Sequence, residues 1–167
     1  MTVIRTFFVS VALGVALCAQ EAGPPLPKVG ALAPEFGFSA VAHGGRAASL
    51  AALTPASLRG RVVVLDFFAT WCGPCIEAIP RTNTLIEDLK DLPVTVISVS
   101  EEPRETLEAF AVTHPMASVL ATDVGVTFKN YWVRALPFVV IIDTTGRISG
   151  FASPTTLSAE QIRGAIK

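Results

Sequence analysis

One stretch of seven residues constrains this chain more than any other. Val62 to Phe68 is an apolar, β-branched and aromatic run interrupted by a single acid, Asp66. That is the pattern of a strand buried on both faces. Cys72 and Cys75 follow within a few residues. From Cys75 onward, Ile79, Thr82, Ile86 and Leu89 recur at spacings of 4, 3, 4 and 3, one face of a helix. Pro80 lies inside that helix and is expected to kink it. A buried strand that hands over to a helix at two closely spaced cysteines implies an α/β fold with both sulfurs at the helix N-terminus.

The rest of the chain extends this unit. Val94 to Val99 reads as a second buried strand, and Pro103 as the first residue of a helix reaching His114. Asp123 is placed to cap a short helix ending near Trp132. Phe138 to Ile142 reads as a strand, joined through Thr144-Thr145-Gly146 to a partner around Ile148 to Phe151. Ser158 and Gln161 form a capping-box signature for a last helix. Short apolar patches around Gly44-Gly45, between Pro34 and Leu53, suggest a small hairpin in front. The expected order is βαβαββα, a central mixed sheet flanked by helices, with an N-terminal β-hairpin extension.

At 167 residues, with 51% hydrophobic and 16% charged side chains, the chain suits one domain with an adequate core. Its net charge of -1, without basic blocks, argues against nucleic-acid binding by phosphate neutralisation. The bulk of the chain is too apolar to be disordered. Before Glu21 the only charge is Arg5, and Phe7 to Leu17 is apolar, too short to span a bilayer but long enough for a signal peptide. Residues 1–20 are therefore read as a signal peptide, with Ala19 or Ala22 near the cut. A buried helix or uncleaved anchor is the alternative. Lipidation at Cys18 is a further one, disfavoured by Leu17. Residues 21–33, rich in proline and glycine, read as a linker, and 34–167 as the folded domain.

Loss of Cys18 with the signal leaves Cys72 and Cys75. A bridge across two residues removes little unfolded-state entropy, so the pair needs a chemical explanation. At a helix N-terminus, unpaired N–H groups and a partial positive charge favour the Cys72 thiolate. Pro74 fits the first turn, where its missing N–H costs nothing. Cys75, one turn on, falls on the apolar face. The arrangement gives one exposed nucleophile and one buried resolving thiol, as disulfide exchange requires. Half a zinc site would need two more ligands, and only His43 and His114 exist as histidines, so no metal is expected.

The stretch Leu58-Arg59-Gly60-Arg61-Val62-Val63-Val64-Leu65-Asp66-Phe67-Phe68-Ala69-Thr70-Trp71-Cys72-Gly73-Pro74-Cys75, with Ile79-Pro80 and later Leu136-Pro137 before Ile142-Asp143, resembles the thioredoxin-like superfamily. Within it, the exported TlpA/ResA-like thiol–disulfide oxidoreductases are the most similar group. The resemblance spans roughly Val29 to Lys167 and implies a thioredoxin fold with a redox-active Cys72–Cys75 disulfide and no other cofactor. A peroxidase of the peroxiredoxin type resembles Pro-x3-Thr-x2-Cys, and Leu65 and Ala69 occupy those positions here. Asp66, six residues before Cys72, matches the buried acid of thioredoxins that shuttles the proton of the second cysteine; an outward-facing position is its bland alternative. Pro137 matches a cis proline that packs on the cysteine motif and leaves the backbone of Leu136 free to grip an extended substrate. Trp71 is expected to cover the site, with Gly73 and Pro74 in the substrate-facing loop.

Glu77 sits one residue ahead of the acid in the TlpA/ResA-like C-x-x-E-x-P helix, where this chain has Ala78. A one-residue shift turns a helical side chain by about 100°, which weakens the transfer. Glu101 and Glu102 are the other candidate acids, with solvated helix-start positions as their alternative. The Gly73-Pro74 dipeptide matches thioredoxin, a reductant at about -270 mV against about -120 mV for the oxidant DsbA. The implied function is reduction of protein disulfides outside the cytoplasm, recharged by a membrane thiol carrier, with cytochrome c maturation the leading role. A monomer is expected, touching the membrane only through an N-terminal anchor. A non-enzymatic thioredoxin-fold binding module and a copper metallochaperone are the rivals.

Overall fold

The computed structural model describes residues 26–41 and 53–167. The proposed signal segment, Cys18, the first part of the linker, His43 and the Gly44-Gly45 turn lie outside these residues.

The strand run and the cysteine-led helix form as the sequence predicts. Strand β2 spans Val62–Phe67 and every residue in it is buried. Helix α1 spans Gly73–Asp88, continues through Pro80, and buries Cys75, Ala78, Ile79 and Thr82. Strand β3 is Val94–Ser100, helix α2 is Arg104–Thr113, β5 is Phe138–Ile142 and β6 is Ile148–Ala152. Helix α4, Ala159–Arg163, carries the full capping box: Gln161 N–H donates to Ser158 Oγ and the Ser158 N–H donates to Gln161 Oε1.

Two further strands complete the sheet. β1 is Phe38–Val41 and β4 is Val119–Asp123. The six strands lie in the order β1-β4-β3-β2-β5-β6. β2, β3 and β4 run parallel, while β1, β5 and β6 are antiparallel to their neighbours. No local sequence pattern marks a strand at Val119–Asp123. Only Leu120 and Ala121 are buried in it, and a short strand ending in Thr122 and Asp123 leaves no clear alternation. β1 lies in the segment where the hairpin is expected and pairs with the edge of the central sheet, Phe38 with Asp123 and Val41 with Leu120; the rest of that segment lies outside the described residues. Asp123 does cap the short helix α3, Thr127–Asn130, accepting from the N–H groups of Thr127 (2.9 Å) and Phe128 (3.1 Å).

Alternation along β2 divides the core. Leu65 and Phe67 point to the side where α3 packs, with Ile97, Val140, Phe128 and Tyr131. Val62 and Val64 point to the side of α1 and α4, with Leu89, Val139, Ile141 and Ile162. Full burial of side chains such as Leu65, Phe67 and Ile97 stabilises by about 1.5–3 kcal/mol each. Asp66 shares the parity of Val62 and Val64, so it faces the layer of the cysteine helix. A third cluster at the C-terminal end of β2 joins Phe68, Ala69, Cys72, Cys75, Leu107 and Leu120. At the opposite sheet edge the linker sequence is already docked: Gly30 N–H donates to Ile148 O (2.8 Å) and Ile148 N–H to Ala31 O (2.9 Å).

Candidate active site

Cys72 is the N-cap of α1, with an extended backbone (φ -83°, ψ 96°). Its N–H donates to Ala69 O (3.0 Å), closing the turn out of β2, and its carbonyl accepts from the N–H groups of Cys75 (3.0 Å) and Ile76 (3.1 Å). Pro74 stands in the first turn, and no acidic side chain lies there to offset the positive helix end. The two sulfurs are joined in a disulfide, with Cα atoms 5.2 Å apart. Both cysteines are buried, each 5% exposed, so Cys72 is no more open than Cys75 in this oxidised form. Each sulfur shields the other, and the apolar cluster of Phe68, Ala69 and Leu107 encloses both.

Asp66 is buried among apolar neighbours, 8% exposed. Its Oδ2 accepts one long bond from Ser98 Oγ (3.3 Å), its register partner on β3, and Ser98 Oγ lies 2.8 Å from Ser118 Oγ. Oδ1 has no partner. Burial without compensation pushes the carboxyl up to about 7, and the Ser98 bond opposes this only in part. The charge change of Asp66 therefore falls in the range where thiol chemistry is carried out.

The Leu136–Pro137 peptide is cis. Leu136 packs against the cysteine cluster, and its backbone N–H and C=O have no hydrogen-bond partner among the described residues. Trp71, next to Cys72 in the turn that the Cys72 N–H closes on Ala69 O, is 74% exposed. Gly73 is exposed, and a Cβ there would meet nothing within 4 Å. Glu77 and Glu101 are exposed on the surface. Glu102 is different: its carboxylate accepts from Thr70 N–H (2.7 Å), Thr70 Oγ1 (2.6 Å) and Ser100 Oγ (3.0 Å). It is half-buried and held by three donors.

Ser98 and Ser118, and the bonds of Thr70 to Glu102, are not marked by any motif in the sequence. Ser98 had a signal, as the only polar residue between Val96 and Val99, opposite Asp66 if the two strands pair. Among the described residues, no group of three His, Cys, Asp or Glu side chains is arranged to hold a metal ion.

The geometry can be set beside known proteins. The AhpC/TSA family pattern matches residues 29–150. The chain belongs to the AhpC/TSA family. Thiol-disulfide oxidoreductase ResA of Geobacillus thermodenitrificans is 30% identical over 137 residues, covering 81% of this chain and 74% of that protein. ResA of Halalkalibacterium halodurans is 30% identical over 93 residues, 54% of this chain and 53% of that protein. The match thus spans about half the length of several curated relatives of this AhpC/TSA member. Among solved structures, a Chlorobium tepidum protein provisionally described as thiol:disulfide interchange protein DsbE superposes with a TM-score of 0.70 at 26% identity, over 84% of this chain and 99% of that one.

Proposed function

We propose that this chain is a thiol–disulfide oxidoreductase that reduces protein disulfides. The observation that carries the reading is the Cys72–Cys75 disulfide at the N-terminus of α1, in a family member with a buried, nearly unpartnered Asp66 on the adjoining strand. The ResA and DsbE names of its relatives support the same chemistry.

In the reduced protein the Cys72 thiolate attacks one sulfur of a substrate disulfide. The substrate S–S bond breaks, its second sulfur leaves as a thiolate, and a Cys72 mixed disulfide forms. Ionised Asp66, directly or through a water, takes the proton of Cys75. The Cys75 thiolate then attacks Cys72 sulfur, forming Cys72–Cys75 and expelling the substrate's other thiolate, which is protonated. Two electrons pass from protein to substrate. The backbone of Leu136 beside Pro137 would pair with an extended substrate segment, with Trp71, Gly73 and Pro74 forming the opposite rim.

In this reading residues 1–20 export the chain, 21–33 link it and 34–167 form the catalytic domain. The compartment is the periplasm or cell-envelope exterior, and a membrane thiol carrier returns the two electrons. Reduction of apocytochrome cysteines before haem attachment is the proposed role.

The test is an equilibrium redox titration in dithiothreitol buffers, read by tryptophan fluorescence. A reversible two-electron transition below about -230 mV, with turnover of insulin disulfides, supports a reductase. A midpoint above about -180 mV makes it an oxidant or isomerase. No reversible transition favours a binding module, and stoichiometric metal in the reduced protein favours a metallochaperone.

A further inference from the structure

Glu102 is half-buried and lies between β3 and α2. It follows β3 by two residues, and its carboxylate reaches Thr70 in the loop after the neighbouring strand β2, two residues before Cys72. Three donors converge on it within 3.0 Å, two from Thr70 and one from the fully buried Ser100. Ser100 Oγ also accepts from the Glu102 N–H (3.2 Å), which fixes the carboxylate from its own side. The turn that presents Cys72 is then tied twice to β3 and the residues that follow it: Phe68 N–H donates to Val99 O (3.1 Å), and Thr70 is held by Glu102. Between these ties the Cys72 N–H closes on Ala69 O.

A carboxylate that accepts three hydrogen bonds is a good anchor, since charge-assisted bonds to backbone N–H groups are about twice as strong as neutral ones. We infer that Glu102 is a positioning residue for Cys72, acting through Thr70, rather than a second acid in the proton path. The inference rests on the oxidoreductase reading above. Its consequence is kinetic. A sulfur must meet the substrate disulfide in line, and a displacement of about 1 Å can cost on the order of a hundredfold in rate.

The test follows the first thionitrobenzoate released when the reduced full chain reacts with 5,5′-dithiobis(2-nitrobenzoate), with the rate divided by the thiolate fraction measured for each variant. E102A should be about ten- to a hundredfold slower than wild type. T70V keeps the carboxylate and the backbone bond but loses the hydroxyl, and should be about three- to tenfold slower. T70S restores the hydroxyl and should recover the wild-type rate. E102Q retains an acceptor for the Thr70 N–H and should stay within about threefold of wild type.

A wild-type rate in folded E102A overturns the inference, as does E102Q falling as far as E102A, which would assign the effect to charge or proton transfer. If E102A fails to fold, T70V and T70S decide: equal rates in both contradict the clamp. A wild-type Cys72 no more reactive than free cysteine instead overturns the oxidoreductase reading. That failure is distinguishable because it is seen before any substitution is made.

Discussion

Asp66 and Asp143 are nearly equally buried, 8% and 5% exposed, yet their surroundings are opposite. Asp143 follows β5 and closes the turn into β6. Its Oδ1 accepts from Thr145 N–H (3.0 Å), Thr145 Oγ1 (2.6 Å) and Arg147 N–H (2.9 Å), and Lys167 Nζ lies 4.0 Å from Oδ2. Burial alone would raise its pKa, but these donors and the lysine outweigh it and hold the carboxyl below its usual value. Asp66 has one bond of 3.3 Å and an unpartnered oxygen, and its carboxyl is pushed up to about 7. Burial by itself does not make an acid reactive. What separates a structural carboxylate from a chemical one here is the number of donors supplied to its charged form.

The largest expected effect comes from removing the unsatisfied charge. The native carboxyl of Asp66 titrates near 7 against 3.8 in the unfolded chain, so the native state holds the extra proton between those values. Stability contributed at this site is full below the unfolded pKa and is lost as pH rises through about 7. Asp66→Asn should therefore stabilise the oxidised protein at about pH 8 by up to about 4 kcal/mol, taking about 1.36 kcal/mol per pH unit. Near pH 4 the two proteins should be alike. Urea denaturation at both values checks this, and an equal gain at both would break the contrast.

Asp143→Ala should act in the other direction. Loss of several turn bonds is expected to cost about 1–3 kcal/mol at neutral pH. The carboxylate's stabilising charge is present above its unfolded pKa and is lost as pH falls through its lower native value, so the penalty should shrink in acid. Thermal unfolding across pH reads this, and a penalty that grows in acid would contradict it.

The smallest expected change sharpens the comparison at one hydroxyl. Ser98→Ala removes the bond that favours ionised Asp66, so the Asp66 midpoint should rise further, by about 1 pH unit or less. Carbon-13 chemical shifts of the Asp66 carboxyl measure it directly, and an unchanged midpoint would remove Ser98 from the site.

The features that were legible in the sequence are local ones. The Val62 to Phe68 run, the period of α1, the Ser158–Gln161 box and the Cys72–Cys75 spacing all depend on residues close together in the chain. Strand β4 was not legible, because its short half-buried stretch has no period of its own and is recognised only by pairing with β3 and β1. The partners of the site were hidden for the same reason. Ser98 meets Asp66, and Glu102 meets Thr70, each across 32 residues of sequence. Both contacts are created by the parallel register of β2 and β3, which no local pattern specifies. The 74% exposure of Trp71 likewise has no signature in its apolar character.

The most direct measurement is the pH dependence of the resolving step. A mixed disulfide is prepared between Cys72 and a small thiol, and its loss by attack of Cys75 is followed by stopped flow from about pH 5 to pH 9. With Asp66 as the proton partner of Cys75, the rate should show an inflection near 7 that disappears in Asp66→Asn, whose rate falls about a hundredfold or more at neutral pH. The same profile and rate in Asp66→Asn would show that the buried carboxyl takes no part in the exchange.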